Sequence, residues 1–436
     1  MHSLKEILEK IGWKIPDIEK FINGRRKIVS NHISAFTHLL SRGIDNKDVL
    51  YFQEIDDLIK RSSIRKEFKK IIFDVISDKS LIDYDIPIPP PEKHKFKFAD
   101  IFCNAGGATV GLMNEGGSCI FACEDRYEHT SFAKSYYSNF GILPFPSIEN
   151  YKGEFPKVDI LVSSVDIEHL PLNKGKRPKA DKMTDTNWYL LLQLINKLQP
   201  EAIMIECKKT QRNESLEAST AVACRTLKEE TGYYVVNPTS LNALDYGVPQ
   251  LRRRVWLVAF ANPISAMTFE WPNPEKRTWK LEDILDENPN PSLYLTQKHL
   301  DYLNEMSRKN LEKGFQYTSI ILDPEKESKS ISFGGQGWDR NLLYDKEHAP
   351  DILPNGRNVN DEYLRRLSPR ELCRLQGFPE HYKVALTWRT SWRLMGRATN
   401  VNVASKITKQ ILKAIDKKSI NKVAKNFVEN GLNFKK

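Results

Sequence analysis

The stretch FKFADIFCNAGGATVG, from Phe96 to Gly111, sets the architecture of the chain. Its first residues predict a strand over residues 95–102, and Gly106 and Gly107 then predict a tight turn before a helix. A strand, a glycine turn and a helix in this order form a nucleotide-type cofactor site. Tight packing of the helix against the strand is the alternative explanation for the glycines.

Strands and helices continue to alternate after this stretch. The predicted strands are CIFACE, VDILVSS, EAIMIEC, YYVVNPTSLN and RRVWLVAF, and the predicted helices include HTSFAKSYYSNF, WYLLLQLINKLQ and a segment around residues 219–231. This rhythm predicts an α/β fold with a doubly wound, mostly parallel sheet. Glu124 ends the second strand, where a carboxylate can accept hydrogen bonds from ribose hydroxyls.

The domain organisation follows from shifts in composition along the chain. The predicted divisions are a helical N-terminal domain at 1–85, a proline-rich linker at 86–95, an α/β domain at 96–261, a small irregular domain at 262–360, and a return to the α/β domain with a basic C-terminal helix at 361–436. The helical spacing of apolar residues supports the first division, and four prolines make the linker stiff.

The composition favours a polyanionic partner. The chain has 436 residues, 66 Lys and Arg against 56 Asp and Glu, and a net charge of +10. Such a balance is typical of proteins that bind nucleic acid, and a polyanion is the predicted partner; the family resemblance given below implies that it is double-stranded DNA. The side chains predicted to contact phosphates are Lys174, Lys176, Arg177, Lys179, Arg252 and Arg254.

The apolar runs and the cysteine spacing of the sequence bear on location and metal binding. No apolar run reaches the roughly 20 residues of a membrane span, so no membrane partner is expected. The six cysteines are scattered without the paired spacing of a metal site. Free thiols of this kind are typical of a reducing compartment, and a cytoplasmic location is predicted.

The order of motifs resembles that of DNA cytosine-C5 methyltransferases, in particular a bacterial subgroup with an N-terminal extension. The glycine turn is similar to the first family motif, YGVPQLRRR at 246–254 to the eighth, and RLSPRELCRLQGFP at 366–379 to the ninth. Met395 and Gly396 resemble the tenth. The resemblance covers Phe96 to about Ile415. It implies a Rossmann-like S-adenosylmethionine-dependent methyltransferase fold, with residues 262–360 in the position of a target-recognition domain.

The resemblance also implies a reaction and its residues. In the family, a cysteine thiolate adds to C6 of a cytosine that has left the base stack, and S-adenosylmethionine supplies the methyl group. Glu206 and Arg252 fall at catalytic positions. The cofactor contacts would be Phe102, Asn104, Gly106, Gly107, Glu124, Gly396 and Arg397.

This sequence departs from the family pattern where the chemistry is performed. With Asp159 aligned to the family's aspartate, Ile167 stands at the position of the nucleophilic cysteine. An isoleucine side chain can neither add to a ring nor take a proton. Asn104 replaces a glycine of the first motif and Arg397 replaces an asparagine of the tenth, and both changes count against binding of S-adenosylmethionine. The scaffold and DNA-handling motifs are retained.

These departures leave three hypotheses open. The first is an inactive homologue that binds DNA or pairs with an active methyltransferase or restriction partner, within a restriction-modification or defence system. The second is an active methyltransferase that uses a relocated nucleophile, Cys207, or a cysteine supplied by a partner. The third is a Mg²⁺-dependent nuclease, because Glu206 and Lys208 match a Glu-x-Lys strand, with Asp159 or Asp166 as the second acid.

Overall fold

A computed structural model of the chain describes most of the residues that resemble the family. It covers residues 94–124, 129–142, 144, 155–167, 170, 183–208, 213–275, 279–314, 319–331, 341–384, 388–417 and 420–421. The predicted helical domain, nearly all of the linker, and the loop cations Lys174, Lys176, Arg177 and Lys179 lie outside the described residues. The predicted domain boundaries stay predictions.

A mixed sheet forms the centre of the structure. Its strands are β1 (Phe96–Ile101), β2 (Gly117–Cys123), β3 (Ile160–Asp166), β4 (Ala202–Lys208), β5 (Tyr234–Val235), β6 (Thr239–Asn242) and β8 (Arg253–Phe260). They lie in the order β2-β1-β3-β4-β8-β5, with β6 paired to β8. β1 to β4 run parallel, and β8 runs antiparallel to its neighbours. The predicted doubly wound, mostly parallel sheet is confirmed.

Helices cover both faces of this sheet. Those of the central region are α1 (Gly107–Asn114), α2 (His129–Phe140), α3 (Met183–Leu198), α4 (Asn213–Thr231) and α5 (Pro263–Thr268). Successive residues of a strand point to opposite faces, so each inner strand is apolar on both sides. On β4, Met204 belongs to one apolar cluster and Ile205 to the other, the latter together with Trp188 of α3.

A smaller region follows the central sheet. It contains short strands β9 (Ile320–Leu322), β10 (Ser328–Lys329), β11 (Asn341–Tyr344) and β12 (Leu364–Arg366), with α6 (Gln297–Glu312). β11 pairs with β9 and β12, while β10 pairs with β7 (Gln250–Leu251) of the eighth-motif segment. The eighth-motif segment is therefore hydrogen-bonded to the smaller region.

The chain then returns to the central sheet through α7 (Pro369–Leu375), α8 (Trp388–Arg397) and α9 (Val401–Ala414). α9 packs directly on α1, because a Cβ placed on Gly111 would lie 2.7 Å from Ala404 Cβ. Hydrogen bonds join the segments of the eighth, ninth and tenth motifs here. Gln250 Nε2 donates to Leu375 O at 2.7 Å, and Gln376 Nε2 donates to Met395 O at 2.7 Å.

A buried carboxylate joins the smaller region to α7. Glu371 is fully buried and accepts two hydrogen bonds of 2.9 Å from the guanidinium of Arg365, which is also buried. It also accepts the backbone N–H groups of Ser368 at 2.6 Å and Asp286 at 2.9 Å. Burying a carboxylate is favourable only when charged and polar partners surround it, as they do here.

Replacing Glu371 by Ala should destabilise the protein strongly, because Arg365 would then be a buried charge with one fewer carboxylate. We expect the free energy of unfolding in urea to fall by roughly 3–5 kcal/mol. Glu380→Ala is the matched control, since Glu380 pairs with Arg374 at 2.7 Å but is 65% exposed. Its removal should cost about 0–1 kcal/mol. Equal decreases in the two variants would contradict this assignment.

Candidate functional site at the carboxyl edge of the sheet

Five polar residues from separate segments converge at the carboxyl edge of the sheet. We call them the carboxyl-edge cluster: Ser164 of β3, Glu206 of β4, Arg252 just before β8, Arg254 of β8, and Thr399 between α8 and α9. Ser164 and Glu206 are paired in register on adjacent parallel strands. This is the edge at which open α/β sheets bind ligands.

Glu206 is the centre of the cluster. Its Oε2 accepts hydrogen bonds from Ser164 Oγ at 2.9 Å and from Thr399 Oγ1 at 2.5 Å. Its Oε1 lies 3.7 Å from Arg254 Nε and accepts no hydrogen bond within the described residues. The carboxylate is 1% exposed. One oxygen is thus satisfied by protein hydroxyls, and the other faces a cation.

Arg252, predicted to contact a phosphate, is held by backbone carbonyls. It is 2% exposed, and its Nη2 donates to the carbonyl oxygens of Gly396 at 3.2 Å and Ala398 at 3.0 Å. Its Nη1 donates to Ile331 O at 3.2 Å. Burial, and to a lesser degree the nearby charge of Arg254, lowers the pKa of Arg252 to about 9. These bonds join the eighth-motif segment to the segment between α8 and α9, and the phosphate contact stays a prediction.

Arg254 keeps a different environment. Its side chain is 17% exposed and lies beside Glu206, whose charge opposes the lowering of its pKa by burial. The arrangement pairs a buried carboxylate with a partly accessible guanidinium. Of the two arginines predicted from the eighth motif, Arg254 is the one that a ligand at this edge could approach.

Ile167 lies in the hydrophobic core. It is fully buried in the cluster that contains Val165 and Trp188. Strand β3 continues to Asp166, which pairs in register with Lys208 of β4. The side chain at the family's nucleophile position therefore packs among hydrocarbon groups on the α3 face, away from Glu206.

Cys207 lies on the same face as Ile167 and not on that of Glu206. Its side chain is fully buried in the α3-side cluster, as the alternation of side chains along a strand requires. Burial raises the pKa of its thiol well above the usual range, and the nearby Cys224 and Glu206 add to that effect. A thiol with a raised pKa forms little thiolate, so this geometry counts against the relocated nucleophile.

The glycine turn is closed by its own side chains. Asn104 adopts a left-handed backbone (φ 50°), its Nδ2 donates to Phe102 O at 2.7 Å, and its backbone N donates to Glu124 Oε2 at 2.7 Å. Asparagine tolerates this conformation better than most residues. The Glu124 carboxylate, predicted to receive a ribose, is thus engaged by the turn itself.

Gly106 and Gly107 serve close packing in this structure. A Cβ on Gly106 (φ 80°) would lie 2.3 Å from the ring of Phe140, and one on Gly107 would lie 1.9 Å from Thr399 O. No other residue fits at such distances. The packing explanation for the glycines is therefore sufficient for both positions.

Arg397 ends α8 beside the glycine turn. Its guanidinium carbon lies 5.8 Å from the centre of the Phe132 ring of α2, within the range of a cation–π contact. The neighbouring Gly396 contributes its carbonyl to Arg252. The tenth-motif segment is thus linked to α2 on one side and to the eighth motif on the other.

The predicted cofactor residues are buried in this arrangement. Phe102, Asn104 and Glu124 are each only 1% exposed, and Gly106 and Gly107 are buried. One carboxylate oxygen of Glu124, Oε2, accepts from the backbone N–H of Asn104.

Another buried carboxylate, Asp100, lies under the glycine turn and was not among the predicted site residues. Its Oδ2 accepts a hydrogen bond of 2.6 Å from Thr109 Oγ1, which lies 2.5 Å from the hydroxyl of Tyr136. Burial raises the pKa of Asp100 to about 7, and the charges of Glu124 and Glu206 contribute. Ser164 and Thr399 were also missed, because single hydroxyl residues carry no motif of their own.

The nuclease hypothesis finds no support in the geometry. Glu206 is engaged by hydroxyls, and Asp159 lies at the opposite end of β3, where it accepts from Lys97 N at 2.6 Å. The side chain of Lys208 lies outside the described part of the structure. Within that part, no group of three or more His, Cys, Asp or Glu side chains is arranged to hold a metal ion.

The sheet order, the glycine turn and the carboxyl-edge cluster together define a Rossmann-like methyltransferase fold. Solved structures with this fold include Dnmt2 of S. pombe, with a TM-score of 0.53, 18% identity, and coverage of 74% of this chain and 100% of that one. The Entamoeba histolytica methyltransferase EhMeth matches with a TM-score of 0.53 and 15% identity over 74% of this chain and 100% of that one.

Sequence comparison identifies the family. A model for C-5 cytosine-specific DNA methylases matches residues 96–413. The chain therefore belongs to the C-5 cytosine-specific DNA methylase family, and the predicted resemblance is confirmed.

Two bacterial relatives illustrate the match. Type II methyltransferase M.HpaII of Haemophilus parainfluenzae is 29% identical over 357 residues, covering 80% of this chain and 98% of the relative. M.HhaI of Haemophilus parahaemolyticus is 24% identical over 322 residues, covering 72% of this chain and 94% of the relative. The family uses S-adenosylmethionine and acts on double-stranded DNA. Among the described residues, no helix is long and apolar enough to cross a membrane.

The raised pKa of Asp100 predicts a dependence of stability on pH. Between the ordinary pKa of 3.8 and about 7, the folded protein holds a proton that the unfolded chain has released. The stabilisation that this proton gives the folded state is complete below pH 3.8 and disappears as the pH rises through 7. Stability should fall over this window by up to about 1.4 kcal/mol per pH unit. Asp100→Asn should flatten that slope in urea unfolding followed across this window.

Asp323→Asn is the control for this experiment. Asp323 is exposed, and its pKa is lowered by Lys326, so it titrates below the window. That variant should keep the wild-type slope. A slope that is the same in wild type and Asp100→Asn would contradict the assignment of the buried proton.

Proposed function

We propose that this chain is a catalytically inactive member of the C-5 cytosine-specific DNA methylase family that serves as a DNA-binding or partner subunit. The observation that carries the proposal is the position of Ile167, buried in the hydrophobic core where the family places its nucleophile. Addition of a nucleophile to the cytosine ring is the step that makes C5 reactive. A saturated side chain cannot supply it.

Cys207, the candidate for a relocated nucleophile, supports the same proposal. Cys207 is buried on the opposite face of β4 from Glu206, and its pKa is raised by burial. To act as the nucleophile, it would have to cross the sheet plane, and Glu206 would then leave the carboxyl-edge cluster. Strand pairing from Ala202 to Lys208 with β3 opposes that rotation.

The closed glycine turn supports DNA binding that is independent of the cofactor. Asn104 hydrogen-bonds both Phe102 and Glu124, and all three are buried. Opening the turn to S-adenosylmethionine would require breaking these bonds. In our proposal the chain binds DNA without S-adenosylmethionine, and its affinity does not depend on the cofactor.

The retained scaffold supports a binding role. The eighth, ninth and tenth motifs are joined by Gln250, Gln376 and Arg252, so the segments that handle DNA in the family keep their relative positions. The relatives are Type II methyltransferases. We therefore propose a place in a restriction-modification or defence system, beside an active methyltransferase or a restriction partner. A partner that supplies the missing cysteine is a variant of the same proposal.

Binding to mixed-sequence duplex DNA tests the proposal. We expect binding without S-adenosylmethionine that weakens steeply with salt, because Lys and Arg side chains displace counterions from phosphates. Removing the four loop cations, with Lys174, Lys176, Arg177 and Lys179 all changed to Ala, should lower the slope of log K against log salt by about 0.9 for each phosphate that is no longer neutralised. Fluorescence anisotropy over a salt series measures both quantities.

Two controls sharpen this measurement. Arg225→Ala with Lys228→Ala, on α4, removes two charges that are not among the predicted phosphate contacts and should leave the slope unchanged. Addition of S-adenosylmethionine should leave the affinity unchanged. No binding at low salt would refute the DNA-binding proposal, and binding that requires S-adenosylmethionine would refute cofactor independence.

A further inference from the structure

A second group of cations lies at the opposite edge of the sheet from the carboxyl-edge cluster. We call it the amino-edge surface and define it by six lysines. They are Lys95, Lys97, Lys157, Lys409, Lys413 and Lys417. All six are exposed. None of them belongs to a family motif, and the site described above does not use them.

Three of these lysines surround the amino ends of two parallel strands. Lys97 is the exposed residue near the start of β1, and Lys95 immediately precedes that strand. Lys157 precedes β3, whose entry is fixed beside β1 by a hydrogen bond from Asp159 N to Lys97 O at 2.8 Å. The backbone therefore holds these three lysines on one edge.

The other three lysines form a row along α9 and just beyond it. The inner face of α9 is buried, with Ile407, Ile411 and Ala414 in the core. Lys409 and Lys413 lie four residues apart on the opposite, exposed face, about 6 Å apart along the helix, and Lys417 is exposed just beyond the end of α9.

Contacts between α9 and the sheet edge join the lysines at the strand entries to the lysines of the α9 row. The end of α1 lies at the amino edge, because β2 begins there, and Glu115 at that end accepts a hydrogen bond of 2.6 Å from Ser405 Oγ of α9. The side chain of Lys95 lies against the adjacent Gly116, at 3.0 Å from a Cβ placed there. Lys409 follows Ser405 by one helical turn.

Acidic groups also lie at this edge. Glu115 accepts from Ser405, and Asp159 accepts from Lys97 N. Glu201, which precedes β4, and Asp416, beside the row, are exposed. Lys406, by contrast, pairs with Glu275 at 2.9 Å and is excluded from the surface. Within the described residues, Lys409, Lys413 and Lys417 form no ion pair, so their charges remain available to a polyanion.

We propose that the amino-edge surface is a second phosphate-binding surface for duplex DNA. It rests on the proposed DNA binding and adds a second contact to it. The strands separate this surface from the carboxyl-edge cluster by roughly 20 Å, since about seven residues of strand rise about 3.3 Å each. A straight duplex bound at one edge does not reach the other, so the second surface takes a second duplex segment. Exposed lysines without a base-reading element suit a phosphate backbone without base contacts.

The triple variant Lys409→Gln, Lys413→Gln and Lys417→Gln tests this inference. In titrations carried past one duplex per protein, the slope of log K against log salt for the second mixed-sequence duplex should fall by about 2 to 3, because each phosphate contact contributes about 0.9. A second variant, Lys95→Gln, Lys97→Gln and Lys157→Gln, tests the strand half independently and should produce a similar decrease. The exposed positions predict unchanged thermal unfolding in both.

The matched control keeps the three charges: Lys409→Arg, Lys413→Arg and Lys417→Arg. Its slope should equal that of wild type. If wild type binds DNA and both amino-edge variants keep the wild-type slope, this inference fails while the proposed function stands; that result would favour an acidic protein as the partner of this face. If wild type binds no DNA at low salt, the proposed function fails as well.

Discussion

The alternation of side chains along β3 and β4 is the constraint on which the site depends. Adjacent residues of a strand face opposite sides of the sheet, and the in-register pairing of Ser164 with Glu206 fixes which side each takes. Glu206 therefore lies at the carboxyl-edge cluster, while Ile167 and Cys207 lie in the core under α3. A shift of one residue would exchange these roles and expose the core face, so the register is strongly specified.

Hydrogen bonds to the protein stabilise the buried charges of this edge. Glu206 receives two hydroxyls, and Arg252 donates to three backbone carbonyls. A buried charge without partners would cost several kcal/mol, so these contacts hold the edge in shape in the absence of a ligand. Hydrogen bonding closes the glycine turn in the same way, because Asn104 engages the carboxylate of Glu124.

Much of the fold could be predicted from sequence because its signals are local. The strand RRVWLVAF and the helix HTSFAKSYYSNF coincide with Arg253–Phe260 and His129–Phe140. The isoleucine at the nucleophile position could be read from alignment to Asp159 alone. The burial of Arg252 could not be predicted, because a sequence motif does not distinguish a guanidinium that faces carbonyls from one that faces phosphates. Ser164 and Thr399 meet Glu206 only through tertiary packing, across 42 and 193 residues. The loop cations from Lys174 to Lys179 stay a prediction.

Transfer of a labelled methyl group from S-adenosylmethionine to mixed-sequence duplex DNA tests the proposed inactivity most directly. We predict no incorporation by the wild-type chain. We predict none by Ile167→Cys either, because that side chain lies on the core face of β3 and the cofactor turn is closed. Incorporation by wild type that Cys207→Ser abolishes would contradict the proposed inactivity and establish a relocated nucleophile.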